Sequence, residues 1–115
     1  MNLTLKNNRF WKTDLQPMGG DWKDFFRAIQ LNDIELVKYH IRTGINPNYQ
    51  HPEFMTAPLM ECIRFGHLDI AKYLLENGAE ANALEHNSTT TTSMSIAKML
   101  GNQDAINLLE EYIKK

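Results

Sequence analysis

The stretch from Ala28 to Asn48 returns 34 residues later, from Cys62 to Asn82, with its helical pattern and its punctuation intact. Lys38 and Tyr39 recur as Lys72 and Tyr73, Gly44 as Gly78 and Asn48 as Asn82. Ile29, Ile34, Leu36 and Ile41 return as Ile63, Leu68, Ile70 and Leu75. Self-similarity at this period specifies a supersecondary unit that cannot bury its apolar face alone and must stack on its neighbours. A stacked solenoid offers a long surface rather than an enclosed pocket, which points to binding before chemistry. At 115 residues, 43% hydrophobic and 23% charged, the chain fits one domain with a modest core.

Each copy reads as helix, tight turn, antiparallel helix and loop. In the second copy Thr56-Ala57-Pro58-Leu59 predicts a helix start, with Thr56 capping orphan amides and proline standing where a missing N–H costs little. That helix runs to about Phe65, and Gly66-His67 breaks it. A second helix follows from Leu68, with Ile70, Ala71, Leu74 and Leu75 at helical spacing, and Asn77-Gly78 ends it. A third copy begins near Thr92, offset by 35 residues, so that Ala97 matches Cys62, Gly101 matches Gly66 and Leu109 matches Leu74. Ser93 takes the place of the proline.

Ala57-Pro58-Leu59-Met60, the run from Gly66 to Ala79 and Asn82 resemble an ankyrin repeat. The first copy departs from the pattern: Lys23-Asp24-Phe25-Phe26 replaces the Thr-Pro-Leu-His signature, and Asn32-Asp33 replaces Gly-His. The resemblance implies an all-α ankyrin-repeat solenoid of about three helix-turn-helix repeats, covering about residues 21–48, 56–82 and 92–115. Lys98 and Glu110 stand in the columns of Ile63 and Leu75, which normally pack on a following repeat, so the third copy reads as a C-terminal capping repeat. Residues 1–20 carry no repeat pattern and read as an N-terminal arm. Its Phe10, Trp11, Leu15 and Met18 are expected to cover the apolar outer flank of the first repeat; the alternative is a tail with a partner-binding aromatic pair.

The family generally binds proteins through projecting hairpin fingers and the concave face of the first helices. Carried onto this chain, the fingers are residues 48–56 and 82–92, each longer by one or two residues than a repeat of about 33 needs. The first is decorated with Tyr49, His51, Phe54 and Met55, side chains that supply contact area at low entropic cost. The position just before the Gly-His turn holds Leu31, Phe65 and Leu100, with Gln30, Arg64 and Met99 beside them. Three apolar residues in a column that the family usually keeps polar form a stripe of the kind that marks an interface. The alternative is that they pack on one another or under the fingers. The partner-binding set is therefore Leu31, Tyr49, His51, Phe54, Met55, Arg64, Phe65, Met99 and Leu100.

Other chemistries find little to work with. The formal charge of −2 and the scatter of basic residues exclude a nucleic-acid groove, and Lys6, Arg9 and Lys12 beside Phe10 and Trp11 read as a solvated arm. No run approaches the roughly 18 apolar residues of a membrane span. Cys62 is the one cysteine and falls where the repeat wants a small buried residue, so it reads as a structural thiol in a cytoplasmic protein. His40, His51, His67 and His86 lack the close spacing of a zinc site; His67 belongs to the turn, and His40 reads as a core histidine. Thr89 to Thr92 read as an extended, mobile loop. No catalytic constellation is present, so neither an enzyme nor a cofactor nor a metal is expected.

The expected function is recognition of a specific protein partner by a monomer or weak homodimer. The resemblance to small stand-alone bacterial ankyrin proteins implies an immunity role, the inhibition of a toxin or effector. Lysine exceeding arginine eight to four, with eleven asparagines, would suit a bacterial genome rich in A and T. An accessory scaffold serving an enzyme or secretion machine, and a homodimeric structural protein joined through the Leu31, Phe65 and Leu100 stripe, are the alternatives.

Overall fold

The computed structural model describes residues 19–85 and 88–114. Within them six helices follow one another: α1 (Gly19–Gln30), α2 (Ile34–Arg42), α3 (Pro58–Phe65), α4 (Leu68–Glu76), α5 (Ser93–Leu100) and α6 (Gln103–Ile113). Helices α1 and α2, α3 and α4, and α5 and α6 pair as hairpins, while α1, α3 and α5 stack as one row and α2, α4 and α6 as the other. The all-α stack of three repeats is thus present. Helix α1 is described from Gly19 onwards. The expected covering of the first repeat by Phe10, Trp11, Leu15 and Met18 lies outside the described residues.

The turn inside each hairpin needs one residue in the left-handed region. Gly66 supplies it at φ 75° and Gly101 at φ 68°; in the first repeat Asn32 takes the same place at φ 60°. Asparagine is among the side chains that tolerate this conformation, so the loss of glycine leaves the turn intact. The next position divides the labour differently. Asp33 and Asn102 cap their own helices, accepting from the amides of Leu36 at 3.2 Å and Ala105 at 3.1 Å. His67 makes no such cap and instead reaches back to the preceding repeat, its Nε2 lying 3.3 Å from the carbonyl oxygen of Gln30. That contact gives the turn histidine a structural role between repeats.

The backbone departs from the sequence reading at the start of α3. Thr56 does not cap α3; the N-cap is Ala57, and Thr56 is buried with its hydroxyl engaged elsewhere. Proline at the first helical position fixes the register one residue later than the hydroxyl reading assumed. In the third repeat the residue aligned with Ala57 is Thr92, and here the side chain does cap: Thr92 Oγ1 accepts from the Ser95 amide at 3.1 Å while Ser95 Oγ accepts from the Thr92 amide at 2.9 Å. The last threonine of the tract therefore starts α5 rather than merely ending a loop.

The core is one continuous cluster through the three repeats, from Phe25, Phe26 and Ile29 through Leu59, Met60, Ile63, Ile70 and Leu74 to Ile96, Ala97 and Leu109. Ala28, Cys62 and Ala97 form a column of small, fully buried residues where α1, α3 and α5 approach. Buried Cys62 fits its reading as a packing residue, and burial, aided by the charge of Glu61, pushes its thiol far above its usual range. His40 is buried in T-shaped ring pairs with Phe25 and Tyr39, as a core histidine would be. Lys98 and Glu110, by contrast, are exposed, so the third repeat presents charge where the first two bury Ile29, Ile63 and Leu75.

Candidate protein-binding surface

Leu31, Phe65 and Leu100 occupy equivalent positions at the C-terminal ends of α1, α3 and α5, just before each left-handed turn. Their exposures are 70%, 49% and 53%. Side chains packed on one another or covered by the fingers would be buried, and these are not. Met99, at 77%, extends the apolar edge on α5. Beneath the edge the repeats are tied by Gln30, whose Nε2 donates to Glu61 Oε2 at 2.9 Å, and the ring of Phe65 lies 5.9 Å from that of His67. The edge thus rests on a fixed seam.

The first finger is a defined turn rather than a loose display. The amides of Phe54 and Met55 both donate to the His51 carbonyl, at 3.0 and 2.7 Å, and Met55 sits at φ 57°. The Glu53 amide donates to His51 Nδ1 at 3.0 Å. The imidazole stacks on Trp22, with centroids 3.6 Å apart, and Phe54 packs T-shaped with Trp22 at 4.8 Å and tilted against Phe26 at 4.9 Å. His51 and Phe54 therefore anchor the finger to the first helix, a role that their expected part in partner binding did not foresee. Tyr49, Phe54 and Met55 keep 44%, 39% and 38% of their surface exposed and can still meet a partner.

The second finger is held by charge. Arg64 donates to Glu85 Oε2 at 2.6 Å and to Thr56 Oγ1 at 2.8 Å, with Glu61 Oε1 at 3.8 Å. The Glu85 amide in turn donates to the Thr91 carbonyl at 2.8 Å, beside an antiparallel bridge between Leu84 and Thr92. Arg64 is thus spent largely inside the molecule, tying α3 to the bases of both fingers. Gln50 Nε2 donates to the Leu84 carbonyl at 2.9 Å and couples one finger to the other. Asn48 clamps adjacent repeats, donating to the Gly78 carbonyl at 2.9 Å and accepting from the Glu80 amide at 2.8 Å. Its recurrence as Asn82 was the visible signal for that clamp; Trp22 and Glu85 carried none.

The nine expected contact residues fall into two groups. Tyr49, His51, Phe54 and Met55 lie at the N-terminal ends of the first-row helices, and Leu31, Phe65, Met99 and Leu100 at their C-terminal ends. Helix α3, eight residues long, separates them by about 12 Å of axial rise. Arg64 alone bridges the groups. Among the described residues no three His, Cys, Asp or Glu side chains converge as metal ligands, and no helix is long and apolar enough to cross a membrane.

Residues 25–115 match the family model for ankyrin repeats in three copies. The chain belongs to the ankyrin-repeat family. It is similar to an ankyrin repeat and KH domain-containing protein of Caenorhabditis briggsae, 35% identical over 75 residues, or 65% of this chain and 3% of that one. An ankyrin repeat protein of Acanthamoeba polyphaga mimivirus is 36% identical over 81 residues, 70% of this chain and 48% of its own length. The ARF GTPase-activating protein Git of Drosophila melanogaster is 29% identical over 70 residues, 61% of this chain and 10% of that protein. The chain spans less than half the length of each of these relatives. Ankyrin repeats are in general protein–protein interaction modules.

Proposed function

We propose that this chain is a non-enzymatic binding module that takes a specific protein partner on the apolar edge of its first-row helices. The observation that carries this reading is that Leu31, Phe65, Met99 and Leu100 are each about half exposed or more at three successive helix ends. Monomeric proteins rarely leave contiguous apolar patches of this kind uncovered without a use for them. Tyr49 and Met55 extend the contact at the other end of the row, and Arg64 sets how the two fingers lie beside it.

Within this reading, immunity-type inhibition of a toxin or effector rests on resemblance to bacterial proteins, whereas the relatives named above are animal and viral. The proposal therefore stays at protein binding, with inhibitor and scaffold separated by whether the partner's activity is abolished. A cytoplasmic location suits a lone cysteine kept as a buried thiol. The test is affinity capture from lysate of the source organism, comparing wild type with a Phe65→Glu, Leu100→Glu variant. Loss of one protein from the variant supports the edge; equal recovery by both overturns it. Concentration-dependent sedimentation abolished by the same substitutions would redirect the edge to homodimerisation.

A further inference from the structure

The apolar edge of the first-row helices has a regular spacing and a charged border, and together they describe what fits it. Helices α1, α3 and α5 are packed neighbours, so Leu31, Phe65 and Leu100 stand roughly 8–10 Å apart along the stack. In a ligand, side chains seven residues apart on an α-helix share one face and rise about 10.5 Å, close to that interval. A β-strand offers same-face side chains only at about 7 or 13 Å. A polyproline II segment repeats at about 9 Å, but its recognition relies on aromatic-lined grooves, and this edge sets one aromatic residue, Phe65, among Leu31, Met99 and Leu100.

The second-row helices set the sign of the border. Four residues after Leu31, Phe65 and Leu100, across each turn, an acidic side chain stands in the first turn of the next helix: Glu35, Asp69 and Asp104. All three are exposed. Among the described residues Asp69 and Asp104 form no ion pair, and Glu35 has Lys38 at 4.0 Å. No lysine or arginine occurs within 31–35, 65–69 or 100–104. The opposite border, along the first-row helices, is mixed: Arg27 and Lys98 are exposed, while Glu61 and Arg64 are engaged with Gln30, Glu85 and each other. We infer that the occupant of the edge is a basic amphipathic helix of the partner protein. It lies across the three repeats with apolar side chains at heptad spacing on Leu31, Phe65 and Leu100, and with lysines or arginines along the flank that faces the turns. The assignment rests on the proposed binding role of the edge and adds the chemistry of its occupant. The exposed apolar side chains supply the contact area, and the acidic border speeds encounter and fixes how the helix lies.

The test titrates the whole chain into fluorescent synthetic peptides of three heptads with leucine at every seventh position. One peptide carries lysine along one flank, a second carries glutamate at the same positions, and a third is the lysine peptide with a central proline. The lysine peptide is expected to bind about tenfold tighter than either of the others at low ionic strength, and to weaken as salt is raised. Asp69→Lys, Asp104→Lys should reverse the order of the lysine and glutamate peptides. Asp69→Asn, Asp104→Asn, which places no cation at a helix start, should narrow the gap between them. Equal or tighter binding of the glutamate peptide, full binding of the proline peptide, or no binding of the lysine peptide would overturn the assignment. Capture from lysate separates this failure from failure of the edge. A partner lost with Phe65→Glu, Leu100→Glu but recovered at wild-type yield by Asp69→Asn, Asp104→Asn would keep the edge and overturn its basic occupant; a partner retained by both variants would overturn edge and occupant together.

Discussion

The two fingers solve the same problem with different physics. Residues 48–56 are seated by rings: His51 stacks on Trp22 and Phe54 meets both Trp22 and Phe26. Residues 82–92 are seated by a carboxylate and a cap, with Arg64 on Glu85 and Thr92 opening α5. Aromatic side chains in a loop thus did two things at once, holding the turn from inside and offering surface outside. The more polar second loop is tied down by a guanidinium from a neighbouring helix. A loop rich in contact-making residues is consequently weaker evidence for a partner than an exposed apolar residue at the end of a regular helix, where the fold asks for nothing.

The largest test of that contrast is Trp22→Ala. Trp22 is buried beneath the first finger, and its removal should cost about 3–5 kcal/mol in denaturant unfolding. It should also raise hydrogen exchange at the Phe54 and Met55 amides while sparing Glu85. A smaller effect is expected from Arg64→Ala, about 1–2 kcal/mol, because Glu85 and Thr56 lose their donor in a half-buried setting. Raising sodium chloride to 1 M should loosen the Glu85 amide in the wild type and leave the first finger unaffected. If salt moved both fingers equally, the division into ring-held and charge-held loops would fail.

Cys62 sharpens the account of the core that both fingers rest on. Its folded-state pKa is raised, so the neutral thiol is favoured and the contribution is fully present below the unfolded value of about 8.5. As pH rises past that point the unfolded chain releases the proton first, and stability should fall by up to about 1.4 kcal/mol per pH unit. Comparing wild type with Cys62→Ala between pH 7 and 10 isolates that slope, which the variant should lack. Thr92→Ala should cost about 1 kcal/mol by removing the cap on α5, whereas Thr56→Val should leave the start of α3 unchanged.

Much of the fold was legible because the chain states it three times. The small column of Ala28, Cys62 and Ala97 and the left-handed glycines follow from the repeat offsets, and so does the exposure of Lys98 and Glu110. What stayed hidden was the direction of loop side chains, since no periodicity assigns His51 or Phe54 to an inner face. The cap of α3 is misleading in the sequence because a hydroxyl stands next to the signature, while Pro58 fixes the register one residue on. The helix-end column was readable as apolar from sequence; that it stays uncovered was not.

Its exposure also sets the smallest expected change in stability and the most direct test. Leu31→Glu and Phe65→Glu remove side chains that are half exposed or more, with the Phe65–His67 ring contact the main loss, so unfolding should shift by no more than about 0.5 kcal/mol per site. The decisive measurement is the affinity of that double variant for the purified captured partner, relative to wild type. A loss of at least 100-fold with an unchanged melting temperature is the predicted result. An affinity within twofold of wild type would contradict the assignment of the edge as the binding surface.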